Sequence, residues 1–292
     1  MWRVTHPSPP GSKLADLRLL VRLVRYHDKL YWRSPVATFF TMALPPLLLL
    51  MMVAALGEGP EVMLGMPLAQ FYAPTLAAYG AVSVCYLYLA VATAVQKQEG
   101  GLKRLRGTPV PTWVFFSARI ISTAWLSCLV VALLLGLGLL IYGIDVIPAR
   151  LPAVALTLLV GILVFSTLGL ALAAIAGSGD AAQALGNVTL LPLGFISDVF
   201  MLPIGNAPRW LTNLADFFPL KHFAVAFARG FDPRYTGNGF QWSGGPHDYA
   251  ILPHLAVLLA WGAVGLAIAM RFFRWEPRAD QRASTRAGSK AW

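Results

Sequence analysis

Six stretches of this chain run long and apolar with almost no ionisable side chain: roughly 36–56, 69–95, 114–142, 151–175, 182–200 and 250–272. A helix needs about 20 such residues to cross a hydrocarbon core. In lipid, a backbone segment must satisfy its own polar groups, so each stretch is assigned to helix. Composition agrees: 57% of the residues are apolar, 12% are charged, and the mean hydropathy is +0.64. A soluble domain is about a quarter charged. A soluble enzyme, a disordered chain and a coiled coil are excluded on that ground, and the fold class is an all-α polytopic membrane protein with six transmembrane helices. Pro45-Pro46 is expected to kink the first span and Pro192 the fifth.

The net charge of +10 is unevenly placed. Seven basic residues lie in the first 34 positions and six lie after Met270. Alternating the connections across six spans puts 18 basic residues on one side and 5 on the other. The positive-inside rule then predicts a multi-pass protein of the cell inner (plasma) membrane with both termini cytosolic. Trp32, Trp113, Trp210, Trp242 and Trp275 fall near span ends, as interfacial tryptophans do. No basic groove with stacking aromatics is legible, so nucleic acid is not expected as a partner, whereas anionic membrane lipid is. Cys85 and Cys128 sit inside apolar runs and suggest neither a disulfide framework nor zinc. The N-terminus does not read as a secretory signal, because basic residues interrupt its apolar stretch.

Residues 1–34 form a cytosolic segment of their own. Arg18, Arg22, Arg25, Lys29 and Arg33 recur at helical spacing and make one stripe, with Leu17, Leu20, Val24 and Tyr31 opposite. This predicts an amphipathic helix lying in the membrane interface, against the alternative of a solvated helix of a small soluble cap. Residues 35–275 make the transmembrane domain, and the basic tail 276–292 is expected to be disordered. Between spans five and six, residues 201–249 carry Trp210-Leu211, Phe217-Phe218 and Phe223 to Phe227. That much apolar surface predicts short re-entrant helices on the outer side, followed by a Gly-rich polar stretch from Gly237 to Gly245.

Ion-coupled transporters carry ionisable groups inside the membrane. Spans one, two and four have none. Span three has Arg119 near its cytosolic end, span five Asp198 and span six His254, both near the outside. This is a poor proton relay, and no phosphate-binding loop is present. Energy for transport would therefore come from another polypeptide docked on the cytosolic surface. The connection 96–112 is a candidate surface: Glu99, Gly100-Gly101, then Leu102-Lys103-Arg104-Leu105-Arg106, with Pro109 and Pro111 ending a short basic helix. A plain positively charged loop explains the same residues equally well.

That connection resembles the cytosolic motif of ABC-2 type permeases, the membrane subunits of ATP-binding-cassette exporters. The resemblance rests on Glu99, Gly100, Leu102, Lys103, Arg104, Leu105 and Arg106, then Thr108-Pro109 before span three. A second stretch resembles the same family. It runs from Leu191-Pro192-Leu193-Gly194-Phe195-Ile196-Ser197 through Pro203, Ala207-Pro208-Arg209-Trp210-Leu211 and Phe218-Pro219-Leu220-Lys221-His222 to Arg229-Gly230. The family often has glycine where this chain has Asp198. That carboxylate is either on the exit side of a path, hydrogen-bonded to the external helices, or a solvated span end.

The resemblance implies a bacterial exporter of the drug- or antibiotic-resistance type. It implies a non-catalytic chain that binds no cofactor, with ATP and magnesium held by a separate ATP-binding subunit. That subunit would press on the coupling segment and the interfacial helix, and a second permease copy or a related permease would complete the assembly. The family's path runs between two copies along spans two and five. Here those spans supply Tyr72, Tyr79, Val82, Asn187, Leu191, Phe195 and Asp198, and an apolar path suits a drug, antibiotic, lipid or lipid-linked cargo. The alternative is an ion-coupled secondary transporter or channel. A membrane enzyme is a third reading, disfavoured because the cytosolic acids are scattered and His27, His222, His247 and His254 lack metal-ligand spacing.

Overall fold

The structure, a computed structural model, describes residues 13–57, 65–101, 110–201, 208–242 and 248–272. The chain starts with α1 (Lys13–Trp32), which leads into α2 (Pro35–Leu56). There follow α3 (Leu68–Gln98), α4 (Thr112–Tyr142), α5 (Leu151–Ile175) and α6 (Gly179–Ile196). Two short helices, α7 (Arg209–Phe217) and α8 (Pro219–Ala228), precede a pair of short strands, β1 (Thr236–Gly239) and β2 (Asp248–Ala250), and the final α9 (Leu252–Phe272).

Among the described residues five helices are long and apolar enough to cross a membrane: α2, α3, α4, α5 with its leading turn from Pro148, and α9. The protein is an all-α polytopic membrane protein. The stretch expected as a fifth span is the 18-residue α6, about 27 Å long at 1.5 Å per residue. Asp180, Gln183 and Asn187 dilute its apolar character. It ends at Ile196, short of the expected Phe200, because Asp198 adopts a left-handed backbone (φ 58°). Pro192 lies inside it. In α2, Pro45-Pro46 follow a wide π-helical turn, Phe39–Ala43, in which the Leu44 amide donates to the Phe39 carbonyl.

α3 is the central helix: every residue from Leu68 to Cys85 is buried. It packs on α4, α5, α6 and α8, and α5 packs along α9. A second π-helical stretch, Ser83–Tyr88, lies mid-way along α3. There Gly169 of α5 lets the two backbones meet: a Cβ at that position would lie 2.7 Å from the Tyr86 carbonyl oxygen and 2.8 Å from that of Cys85. Apolar side chains such as Trp125, Leu140 and Leu163 cover the outward faces, as lipid contact requires. Trp32, Trp113, Trp210 and Trp242 are all exposed.

The short helices expected in 201–249 are present, and Phe223 and Phe227 of α8 are buried in the core. The polar stretch beginning at Gly237 is a correction: part of it is strand, with β1 paired in parallel to β2. Arg150 organises this layer. Its Nε donates to the Gly237 carbonyl (3.0 Å), and its other nitrogens donate to the carbonyls of Arg229 (3.2 Å), Asp232 (2.8 Å) and Tyr235. Its guanidinium also lies over the Tyr249 ring, 5.5 Å from the centroid. On the same side Gln70 of α3 donates to the carbonyls of Asp145 (3.0 Å) and Phe231 (2.5 Å) and accepts from the Asp145 amide (2.7 Å).

Candidate functional site: the end of α3 and its neighbours

The expected coupling segment begins inside a helix. Gln96, Lys97 and Gln98 form the last turn of α3, a correction to their assignment to a connection. Apolar packing continues one turn beyond the expected end of the span, since Lys97 is buried. Glu99 caps the helix and is exposed, and Gly100 turns the chain away with φ 74°, which glycine adopts without steric cost. Leu102, Lys103, Arg104, Leu105 and Arg106 lie outside the described residues, as does the tail.

The last turn of α3 is tied to two other helices. Lys97 donates from Nζ to the carbonyls of Ala173 (3.2 Å), Ala174 (3.4 Å) and Ala176 (3.2 Å), the acceptors left open at the end of α5. A cation there also meets the negative end of the helix dipole. Gln98 accepts from the Gly179 amide (3.1 Å) at the start of α6, where Ser178 caps the helix by accepting from the Ala181 amide. Two consecutive residues, Lys97 and Gln98, thus join α3, α5 and α6 at one point. The sequence reading missed Lys97 as a structural residue. Its signal was a lone lysine at the end of an otherwise uncharged run.

In α1 the stripe Arg18, Arg22, Arg25 and Lys29 is exposed, and so is Arg33 just beyond the helix. The opposite face docks on α4, but its register differs from the expected one. Tyr31 is buried and Leu20 and Val24 are half-buried, whereas Leu17 is 55% exposed. Two polar residues take the inner positions instead. The His27 ring meets Phe115 edge-on (6.0 Å between centroids), and Asp28 accepts from the Ser122 hydroxyl. Burial, helped by the Arg119 charge and only partly opposed by the Ala118 backbone, pushes the His27 pKa down from 6.5 to about 3. The ring is therefore neutral. Tyr31 shares a hydrogen bond with Thr41 (2.5 Å), which links α1 to α2.

The seven residues proposed for a path fall into separate places. Tyr72 and Val82 belong to the closed core around α3. Tyr79 packs against Phe200 (4.7 Å between ring centroids), which also meets Phe195 (5.2 Å). Asn187, Leu191 and Phe195 share one face of α6 at intervals of four, and Leu191 and Phe195 are exposed. Asp198 lines a cavity of about 170 Å3 with Thr75, Ser197, Arg229 and Arg234. None of the other six reaches that cavity. His222 and His254, far apart in sequence, come together with their Nδ1 atoms 2.9 Å apart, and His222 Nε2 donates to the Asp216 carbonyl (2.7 Å). His247 is outside the described residues. Among the described residues no group of three or more His, Cys, Asp and Glu gathers as a metal site would.

The comparisons with known proteins bear on the chain as a whole. The family model for the ABC-2 type transporter matches residues 18–231, from α1 through the end of α8. A comparison with curated proteins gave no match. The match takes in the basic helix α1 docked on α4 and the short helices α7 and α8. With nearly three-quarters of its length covered, this chain belongs to the ABC-2 type transporter family and is the membrane-spanning permease component of an ABC transporter.

Proposed function

We propose that this permease exports a hydrophobic or amphipathic substrate (a drug, antibiotic, lipid or lipid-linked molecule), driven by a separate ATP-binding subunit that presses on Glu99, Gly100 and residues 102–106. The three-way tie at the end of α3 carries this reading. Glu99 is exposed where a partner can reach it, and the two residues before it are bonded to α5 and α6. A push on Glu99 would therefore move three helices as a unit, which is the link that alternating access requires. ATP and magnesium would be held by the partner, and this chain would bind no cofactor of its own.

The arrangement proposed around it has both termini on the cytosolic side of the bacterial inner membrane, with α6 as the fifth of six crossings. Residues 1–34 form the interfacial segment, 35–275 the transmembrane domain and 276–292 the tail. A second copy, or a related permease, would face α6. The exposed apolar face of α6 supports that placement: Val188 is 71% exposed, beside Leu191 and Phe195.

The test is Glu99→Arg. The variant is expected to reach the membrane at normal levels, to lose substrate export, and to lose stimulation of the partner's ATPase. Normal export by this variant would defeat the coupling assignment.

A further inference from the structure

A second cavity, of about 320 Å3, lies between α1, the start of α2, the last turns of α3 and the first turns of α4. Its volume is in the range of small-molecule sites. Leu30, Leu89, Val91 and Val95 supply apolar wall, and Tyr26 and Tyr88 flank it. Two charged residues line it, Arg119 and Glu99. His27 also lines it and, being neutral, brings no charge.

Arg119 is 4% exposed. It donates to the Thr93 hydroxyl, the Ala92 carbonyl (3.3 Å) and Gln96 Oε1 (2.5 Å). Its Nε has no hydrogen-bond partner, and among the described residues no carboxylate forms an ion pair with it. A buried guanidinium without a counter-charge is costly. Its planar fork suits a phosphate better than a point anion. The walls beside it are mostly apolar, so a free anion would leave most of the cavity unfilled. Glu99, in the same lining, would repel a purely anionic headgroup and attract an amine.

We propose that this cavity holds a glycerophospholipid with an amine in its headgroup, the phosphodiester on Arg119, the ammonium toward Glu99 and acyl chain along Leu30, Leu89 and Val95. Such a lipid fills the groove between α1 and the end of α3. It supplies the negative charge that Arg119 lacks, and it does so whatever the protein transports.

The full-length protein, purified in detergent and stripped of lipid, is titrated with phosphatidylethanolamine, phosphatidylglycerol, diacylglycerol, soluble glycerophosphoethanolamine and inorganic phosphate. Bound species are counted by native mass spectrometry. Phosphatidylethanolamine is expected to bind with one-to-one stoichiometry, about tenfold or more tighter than diacylglycerol, the margin of a charge-assisted hydrogen bond. Arg119→Gln should remove that margin, and Glu99→Gln should shift preference toward phosphatidylglycerol. Because Arg119 also bridges α3 and α4, Ala92→Leu provides a variant that fills the cavity and leaves the guanidinium in place. It too should lose the lipid. Diacylglycerol binding equal to phosphatidylethanolamine, or Ala92→Leu retaining the lipid at wild-type affinity, overturns the proposal. So does soluble headgroup or inorganic phosphate binding as tightly as the lipid, which would make this a free-anion site.

Discussion

Asp198 has a backbone φ of 58° at the point where α6 gives way to the Ser197–Phe200 turn. For a residue with a Cβ this conformation costs roughly 1–2 kcal/mol, which glycine avoids and aspartate tolerates better than most. The glycine that the family resemblance leads one to expect here therefore has a conformational reason. Asp198→Gly is expected to hold or raise the thermal stability of the detergent-purified protein, and Asp198→Val to lower it by about 1–2 kcal/mol. Both remove the carboxylate, so an equal stability loss in the two would show that the charge and not the backbone matters at this site. Lys97 and Arg150 share another trait. Each reads in sequence as one more positive charge beside a span. In the fold each binds open carbonyls, three at the end of α5 for Lys97 and four between the end of α8 and β1 for Arg150.

At the scale of helices, periodicity placed the basic stripe of α1 correctly but not its inner face. A stripe of arginines says which side is wet. It does not say which residues touch a neighbour, because that depends on the roll of α1 against α4. His27 went unassigned for this reason, and it makes the docking pH-dependent. The undocked ring takes up a proton below pH 6.5, whereas the docked ring resists until about pH 3. Docking is thus fully stabilised above pH 6.5 and weakens as pH falls toward 3, by up to ~1.4 kcal/mol per pH unit. The hydrogen-exchange protection factors of residues 20–33, corrected for the pH dependence of intrinsic amide exchange, should fall between pH 7 and pH 5. His27→Phe should abolish that dependence, and unchanged protection factors in the wild type would refute it.

The α3–α5 crossing makes a second claim at this scale. Gly169→Ala puts a methyl into the carbonyls of Cys85 and Tyr86, which are backbone and cannot rotate away. A loss of about 1–3 kcal/mol is expected. Gly136→Ala in α4, where a Cβ meets nothing within 4 Å, should shift stability by less than about 1 kcal/mol. Thermal unfolding of the two variants side by side checks the contrast.

For the molecule as a whole, the buried centre is α3, and α6 carries an exposed apolar face at Val188, Leu191 and Phe195. On the proposed two-copy arrangement that face meets its counterpart. A Val188→Cys substitution, with Cys128 replaced by serine, should give a disulfide-linked dimer in oxidised membranes. The same substitution at Leu140, 84% exposed on α4, should not. A dimer from both, or from neither, would count against α6 as the contact.

From its sequence alone the chain was committed to helices in lipid and to a basic side and an apolar side of α1. The family was legible in the residues around Glu99 and in those from Leu191 to Gly230. These follow from run length, charge position and local spacing, which need no knowledge of neighbours. Tertiary structure alone decided that Lys97 and Gln98 bind α5 and α6, that Arg119 is buried beside a cavity, and that Tyr72 and Val82 lie in the closed core and not on an exposed face. Each of those outcomes joins residues dozens of positions apart, and what a side chain does there is set by which helix it faces when the bundle closes.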